Sequence, residues 1–517
     1  MSVASIQSAH IVGLLGEQVT VEVDVSRGLY SFSIVGLPDK AIDESKDRVI
    51  AALKNTGVQN PKTENQKVTV SLTPAHIKKE GSHFDLPIAL GYLAAAKVLT
   101  VPKDIGWFVG ELSLTGDILP MTGVLSIALK AKEMGAHALY VPHANKEEAA
   151  LVEGLLVYGC KTLGEVVVHL GGTIESVITP SEIEPALKTT IIYRRPDSYL
   201  DFKDVRGQET AKRALLIAAA GGHNIALYGP PGTGKTMLAR AFTGILPPLT
   251  EHEALLTTKI HSVIHTKTDI ITHPPFRSPH HTSSYVSLVG GGTSPKPGEI
   301  TLAHNGVLFL DEFPEFDKKV IESLREPLEE GHITVSRAKG TFTFPASCTL
   351  IASMNPCPCG YLGSKQKRCV CKPSDIDRYA RKLSGPIMDR IDMWVPVTHI
   401  DYDTLSHKQT GDGSDIMREK VVRAREFAKK RFQEHGMTVT KNKDLKAKDI
   451  MLTISLTEEV KSLMKKLATS YMLSPRAYHR VLRLARTIAD CREARDISET
   501  DILEAFQYRP KLYQDKI

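Results

Sequence analysis

The chain has 517 residues, 42% apolar and 24% charged, with 37 Gly and 29 Pro. This globular composition excludes a mainly disordered chain, a collagen-like repeat and a disulfide scaffold, and the length suggests about three domains. Charge is uneven: of 65 Lys+Arg and 59 Asp+Glu, residues 1–180 hold 15 and 19, leaving 50 and 40 for the remainder. A basic excess in the C-terminal two-thirds suits a polyanionic partner, and equally a solvated basic surface. No run of about 18 apolar residues occurs, so no membrane span is expected. The N-terminus lacks a charged lead and a sustained apolar core, so a cytoplasmic protein is expected. Seven cysteines, four of them crowded into 357–371, suit a reducing compartment with one metal site.

Residues 1–175 alternate between strand and helix patterns. QVTVEVDV (18–25), YSFSIVGL (30–37) and KVTVSLTP (67–74) read as strands by β-branched content and period-2 alternation. Residues 39–55 read as a helix, with Ile42, Val49, Ile50 and Leu53 on one face and Asp39 as N-cap. LPIALGYLAAAK is a buried helix, FVGELSLTGDIL a strand pair, and GVLSIALKAKEMG a helix closed by its Gly. Together they predict one α+β or α/β domain. Residues 176–200, with Pro and polar residues but no period, read as a linker.

A second unit, 201–395, carries the clearest chemistry. Gly229-Pro230-Pro231-Gly232-Thr233-Gly234-Lys235-Thr236 matches the phosphate-loop pattern and follows the strand NIALY. Its glycines let successive N–H groups point at phosphate oxygens, and Met237 continues the helix whose positive end faces them. Lys235 would reach the β- and γ-phosphates of ATP, and the Thr236 hydroxyl would ligate Mg²⁺. Four apolar residues, Val307 to Leu310, then lead to Asp311 and Glu312 at a strand end, where an α/β sheet places its chemistry. Asp311 would hold the Mg²⁺ shell, and Glu312 would orient or deprotonate the attacking water.

Two further segments stand out in this unit. ITVSRA-KG-TFTFP (333–345) predicts a hairpin turning at Lys339-Gly340. Cys357-Pro-Cys359 and Cys369-Val-Cys371 are two CxC pairs in a turn-rich, basic stretch, a donor set that suits tetrahedral Zn²⁺ in a closed site. Free reduced thiols are the alternative. From 396 to 517 the pattern changes to amphipathic helices at 418–433, 456–470, 474–490 and 498–507, which predict a helical subdomain.

GPPGTGKT, LFLDE, TLIASMN ending in Asn355, and GPIMDRID (385–392), in this order, resemble the AAA+ ATPases. FRSPHHTSSYVSLVGGG (276–292), PGEITLAHNGVLFLDEFPEF, LREPLEEGHITVSRA and NPCPCGY narrow the resemblance to Mg-chelatase-like proteins of the YifB/ComM type, over essentially the whole chain. The resemblance implies an α/β fold in three parts: a Lon-protease-like N-terminal domain, an αβα phosphate-loop core with a zinc knuckle at 357–371, and a helical lid. It implies Asn355 as the sensor of the lytic water, and Arg390 as the arginine finger acting on a neighbouring subunit. Arg476, in Ser474-Pro475-Arg476-Ala477, would be the second sensor, touching the γ-phosphate within its own subunit. A surface salt bridge is the plain alternative for Arg390, and one solvated helix face shared with Arg480 and Arg483 is the alternative for Arg476. Val205 to Gln208 would lie beside the adenine.

The family also implies a homo-hexameric ring acting as a DNA helicase that extends branch migration during integration of transforming DNA. Related rings place a hairpin in the pore, so Arg337 and Lys339 become candidates for gripping DNA phosphates, and Arg277 in the 276–292 insertion another. A chaperone-like ATPase remodelling a protein partner is the alternative. Lon enzymes carry a catalytic Ser in a segment like KKEGSHFD, where this chain has His83, and LPMTGVLSI (119–127) lacks the family's Lys. Without nucleophile and base, no peptide cleavage is expected.

Overall fold

The computed structural model describes the chain except residues 1, 37–38, 59, 76–78, 80, 103, 175–182, 194–199, 268, 293–294, 338–339, 365, 401–410 and 511–517. Its contacts divide it into two units. One comprises Met1–Ile192, Glu251–Ile271 and Thr293–Lys296; the other comprises Tyr193–Thr250, Thr272–Gly292 and Pro297–Ile517. Among the described residues no helix is long and apolar enough to cross a membrane.

The first unit is built on a seven-stranded sheet. Its strands are β1 Ser2–Val12, β2 Leu15–Arg27, β3 Ser31–Val35, β4 Gln66–Thr73, β5 Trp107–Phe108, then the separate hairpin β6 Glu111–Leu112 and β7 Ile118–Leu119, then β8 Ala138–Pro142 and β9 Leu156–Cys160. The sheet order is β3-β4-β2-β1-β5-β8-β9. β1 and β2 pair antiparallel from Ser2↔Val25 to Val12↔Leu15, which puts Val19, Val21 and Val23 on the buried face. Helix α1 (Lys40–Asn55) buries Ile42, Val49 and Leu53, and its N-cap Asp39 accepts from the Ile42 N–H at 2.9 Å, as the period and the cap predict. Helix α2 (Asp85–Ala95) is buried over almost its whole length. Helix α3 (Val124–Glu133) packs against β2.

Two features depart from the linear reading. The helix Glu251–Ser262 lies inside the stretch read as the ATPase core, yet it belongs to the first unit. There Gly123 N–H donates to Ser262 O at 2.8 Å, and the Ser262 hydroxyl donates to Glu148. Part of the expected linker is also built in: Ala186 N–H donates to Val157 O at 2.7 Å, laying 183–186 along the edge of β9. Residues 176–182 and 194–199 of that linker lie outside the described residues.

The second unit holds a five-stranded parallel sheet of β10 Ile225–Tyr228, β11 Phe276–Arg277, β12 Val307–Leu310, β15 Thr349–Met354 and β16 Met393–Pro396. A two-stranded hairpin, β13 His332–Arg337 and β14 Gly340–Pro345, stands between β12 and β15 in the chain. Sheet order is β11-β12-β15-β10-β16. β12 and β15 are buried at every residue, as strands covered on both faces must be, which is why they read as unbroken apolar runs.

Helix α4 (Glu209–Gly221) packs on this sheet, and α5 (Lys235–Phe242) follows β10. The lid helices are α6 Ser414–Glu434, α7 Glu458–Ser470, α8 Pro475–Cys491 and α9 Glu499–Gln507. Leu215 and Ile217 of α4, Val421 of α6 and Ile488 of α8 belong to one apolar core, so lid and sheet are one packed body. Inside the lid, buried Asp490 accepts from Arg486 at 3.1 Å and from Asn442 at 2.7 Å, and pairs with Arg431, so its charge is compensated.

Candidate active site

The phosphate loop joins β10 to α5 at the C-terminal edge of the parallel sheet. Gly232 and Gly234 adopt φ of 77° and 89°, a region that side chains disfavour, and this turns the loop tightly enough to close over phosphates. Gly229 lies against the Val397 carbonyl, where a Cβ would come within 2.0 Å of oxygen. Thr233 Oγ1 donates to Pro230 O at 3.0 Å. Gln208 braces the loop from outside, its amide donating to Thr233 O at 3.3 Å and to Thr398 O at 2.6 Å, with Val205 buried nearby in sequence. Met237 is exposed on the first turn of α5.

Lys235 is buried, and its ammonium donates to Gly229 O and Pro230 O at 2.8 Å each and to Asn355 Oδ1 at 3.3 Å. Burial pushes its pKa down, and nearby Asp311 partly offsets this. Thr236 Oγ1 donates to Asp311 Oδ2 at 3.0 Å, while the other Asp311 oxygen accepts from Ser353 Oγ and from the Glu312 N–H at 3.1 Å. The hydroxyl–carboxylate pair beside an N–H-lined loop is the donor set that holds Mg²⁺ on a nucleotide. Glu312 sits at the end of β12 with φ of 52°, its carboxylate exposed. Ser353, one residue in from the end of β15, is a partner the sequence reading missed.

Arg390 and Arg476 are elsewhere. Arg390 O accepts from Asn224 Nδ2 at 3.1 Å, and Asp392 accepts from the Asn224 N–H at 3.1 Å, just ahead of the register pair Ile225↔Met393. That is the N-terminal edge of the sheet, one strand length (about 13 Å for four residues) from the phosphate loop. Both guanidiniums meet Glu329, Arg390 closely and Arg476 at 3.5 Å, beside a cavity of about 640 Å³ also lined by Arg480, Arg483, Lys443 and Lys446. The expectation that Arg476 touches the γ-phosphate held by its own subunit is therefore corrected. Packed on α4, with Arg480 donating to the Ile391 carbonyl just before β16, the lid carries Arg476 to the far edge. No local signal marks Glu329.

The DNA candidates separate as well. Arg277 is held by both Glu299 oxygens, at 2.6 and 2.7 Å, so a phosphate would have to compete with a bidentate carboxylate for it. Arg337, at the end of β13, is exposed. Lys339 lies outside the described residues.

The four thiols of Cys357, Cys359, Cys369 and Cys371 lie within 4.8 Å of one another. Cys357–Cys359, Cys357–Cys369 and Cys359–Cys369 Sγ separations are 3.4, 3.7 and 3.6 Å. A tetrahedron of 2.3 Å Zn–S bonds has edges of about 3.8 Å, so the donor set fits zinc and is far too open for disulfides. Gly360, inside this knuckle, packs on the phosphate loop: a Cβ there would meet Pro231 Cδ at 2.8 Å.

In the first unit, His83 is buried and stacked on His10 with ring centroids 6.0 Å apart. Burial, reinforced by His10, pushes its pKa down to about 3, leaving a neutral imidazole where a protease would need its nucleophile.

Family models described as "Magnesium chelatase, subunit ChlI", "Subunit ChlI of Mg-chelatase" and "Magnesium chelatase, subunit ChlI C-terminal" match residues 201–405, 21–145 and 411–509. The chain is 41% identical to the competence protein ComM of Haemophilus influenzae, over 98% of each chain. It is 38% identical to the uncharacterized protein YifB of Escherichia coli, over 98% of this chain and 97% of that one. A shorter likeness, 30% identity over 28% of this chain and 27% of the other, is to Lon protease 2 of Bacillus subtilis.

Proposed function

The chain belongs to the YifB/ComM group of Mg-chelatase-like AAA+ proteins, and on that premise we propose that it is an ATP-driven DNA translocase. In this reading it is a cytoplasmic homo-hexameric helicase that extends branch migration and promotes DNA integration during recombination or transformation. The observation that carries the ATPase reading is the convergence of Lys235, Thr236, Asp311 and Asn355 at one strand edge. ATP phosphates accept from the loop N–H groups and from Lys235, which exchanges its own loop carbonyls for phosphate oxygens. Mg²⁺ on Thr236 and Asp311 supplies positive charge to the phosphate oxygens when bound. Glu312 orients and deprotonates the water, and Asn355 fixes its position.

Arg390 and Arg476 stand a strand length from this site, which supports a role on the phosphates of a neighbouring copy. Glu329 satisfies both guanidiniums until such a phosphate competes for them. An active site completed by a neighbour favours a ring over a monomer.

The DNA reading rests on the likeness to the competence protein, on the basic excess outside residues 1–180, and on the hairpin carrying Arg337 and Lys339. Four thiolates around Zn²⁺ would order the segment that follows Asn355. The test is ATP turnover by the purified chain with and without single-stranded or forked DNA. Stimulation by DNA supports the reading. Indifference to DNA, with stimulation by a protein partner, would replace it with a remodelling ATPase.

A further inference from the structure

Asn224 immediately precedes β10 and is buried at the foot of the parallel sheet. Its main chain joins β10 to β16: its N–H donates to Asp392 Oδ2 at 3.1 Å, and its carbonyl accepts from the Asp392 and Met393 N–H groups at 3.0 and 3.1 Å. Its side-chain amide makes two further bonds. Oδ1 accepts from the Leu350 N–H of β15 at 2.9 Å, and Nδ2 donates to the Arg390 carbonyl at 3.1 Å. An amide offers donor and acceptor from one planar group, so a single residue fastens both.

The Arg390 guanidinium is not itself tied to the sheet. Nη1 donates to the Pro386 carbonyl at 2.7 Å, within the same short helical turn, and Nη2 meets Glu329. Nε has no partner among the described residues. Placement of the arginine therefore falls to its backbone. Two successive carbonyls are held there: that of Arg390 by Asn224, and that of Ile391 by Arg480 of the lid at 3.1 Å. The two strands that Asn224 grips end, at the opposite edge, in Gly229 of the phosphate loop and in Asn355.

We propose that Asn224 is a positioning residue that fixes Arg390 for the phosphate of a neighbouring copy. The proposal rests on the reading of Arg390 as an arginine acting across an interface. One four-residue strand then carries the chain's own phosphate loop at one end and, through Asn224, the arginine it offers at the other. The strand sets the spacing between the two, so successive copies in a ring present arginine and loop at a fixed separation. A guanidinium whose backbone shifts by an ångström loses most of its effect on a transition state.

The test uses the full-length chain and Asn224→Asp, which keeps the acceptor for Leu350 and loses only the donor to Arg390. Amide hydrogen exchange across 386–391 should rise in this variant without any nucleotide present; unchanged exchange would overturn the positioning, whatever Arg390 does. The variant should bind a fluorescent ATP analogue as the parent does, while kcat falls about 100-fold with KM unchanged. Mixing it with Lys235→Ala chains should recover part of the rate, and mixing it with Arg390→Ala chains should recover none, because those two variants fail on the same side of the interface. Rescue by Arg390→Ala chains, rescue by neither, or a kcat equal to the parent's would overturn the proposal. Asn224→Ala, which removes the donor without adding charge, is mixed in the same way; loss of analogue binding in both variants would show that the residue serves the fold alone and would also overturn it. The mixture of Arg390→Ala with Lys235→Ala is the control: if that pair recovers nothing, the reading of Arg390 falls, while the exchange measurement still decides what Asn224 holds.

Discussion

The Lys235 ammonium lies 3.3 Å from Asn355 Oδ1, so residues 120 positions apart share one point at the strand edges. Lys235→Ala should remove binding of a fluorescent ATP analogue by about 100-fold or more, since a buried charge-assisted contact disappears. Glu312→Gln should bind the analogue as the parent does while kcat falls at least about 100-fold. Hydrolysis by Glu312→Gln at the parent rate would refute its role.

Arg390 and Arg476 share Glu329 at the opposite edge. Each Arg→Ala variant should keep ATP affinity within about threefold and lose about 10³ in turnover, as for an arginine acting across an interface. Mixing Arg390→Ala with Lys235→Ala chains should restore part of the rate, because some interfaces pair an intact phosphate loop with an intact arginine. Mixing that restores nothing, together with full activity at concentrations where the chain is monomeric, would contradict the trans role.

The thiol knuckle should bind about one Zn²⁺ per chain, measured by elemental analysis under reducing conditions. Cys369→Ser should release the metal and slow turnover by loosening the segment after Asn355. Gly360→Ala is the sharper probe, because its φ of 84° and its contact with Pro231 leave no room for a Cβ. It should keep zinc and weaken ATP binding about tenfold. Normal ATP affinity in Gly360→Ala would show that the knuckle does not brace the loop.

Asp392 carries a pH signature. Burial raises its pKa, but His223, Arg483 and Arg480 outweigh burial and hold the carboxyl well below its ordinary value. A depressed folded pKa contributes stability that is complete above the unfolded value of about 3.9 and is lost as pH falls through the folded one. Asp392→Asn should therefore cost about 3 kcal/mol near neutrality and progressively less below about pH 4, measured by thermal unfolding across that range. A cost that is constant with pH would contradict the assignment.

Legibility in the sequence followed how local each determinant is. The phosphate loop, the acids after β12 and the lid helices were readable because glycine spacing, apolar runs and helical period are written within a few residues. β1 was missed because SVASIQSAHIV mixes small polar residues into its alternation, and its pairing with β2 supplies the order. The side on which the lid packs is a tertiary choice made by α4, α6 and α8, and it reversed the placement of Arg476. Glu329, Glu299 and the contact between His281 and Glu312 are likewise long-range meetings that no spacing announces.

The most direct test of the central claim is unwinding of a forked DNA by the purified chain with Mg²⁺ and ATP, followed by strand separation in real time. The parent should separate the strands with ATP and not with a non-hydrolysable analogue, and Glu312→Gln should bind the fork without opening it. A parent that hydrolyses ATP at the same rate with and without the fork, and leaves it intact, would contradict a DNA motor.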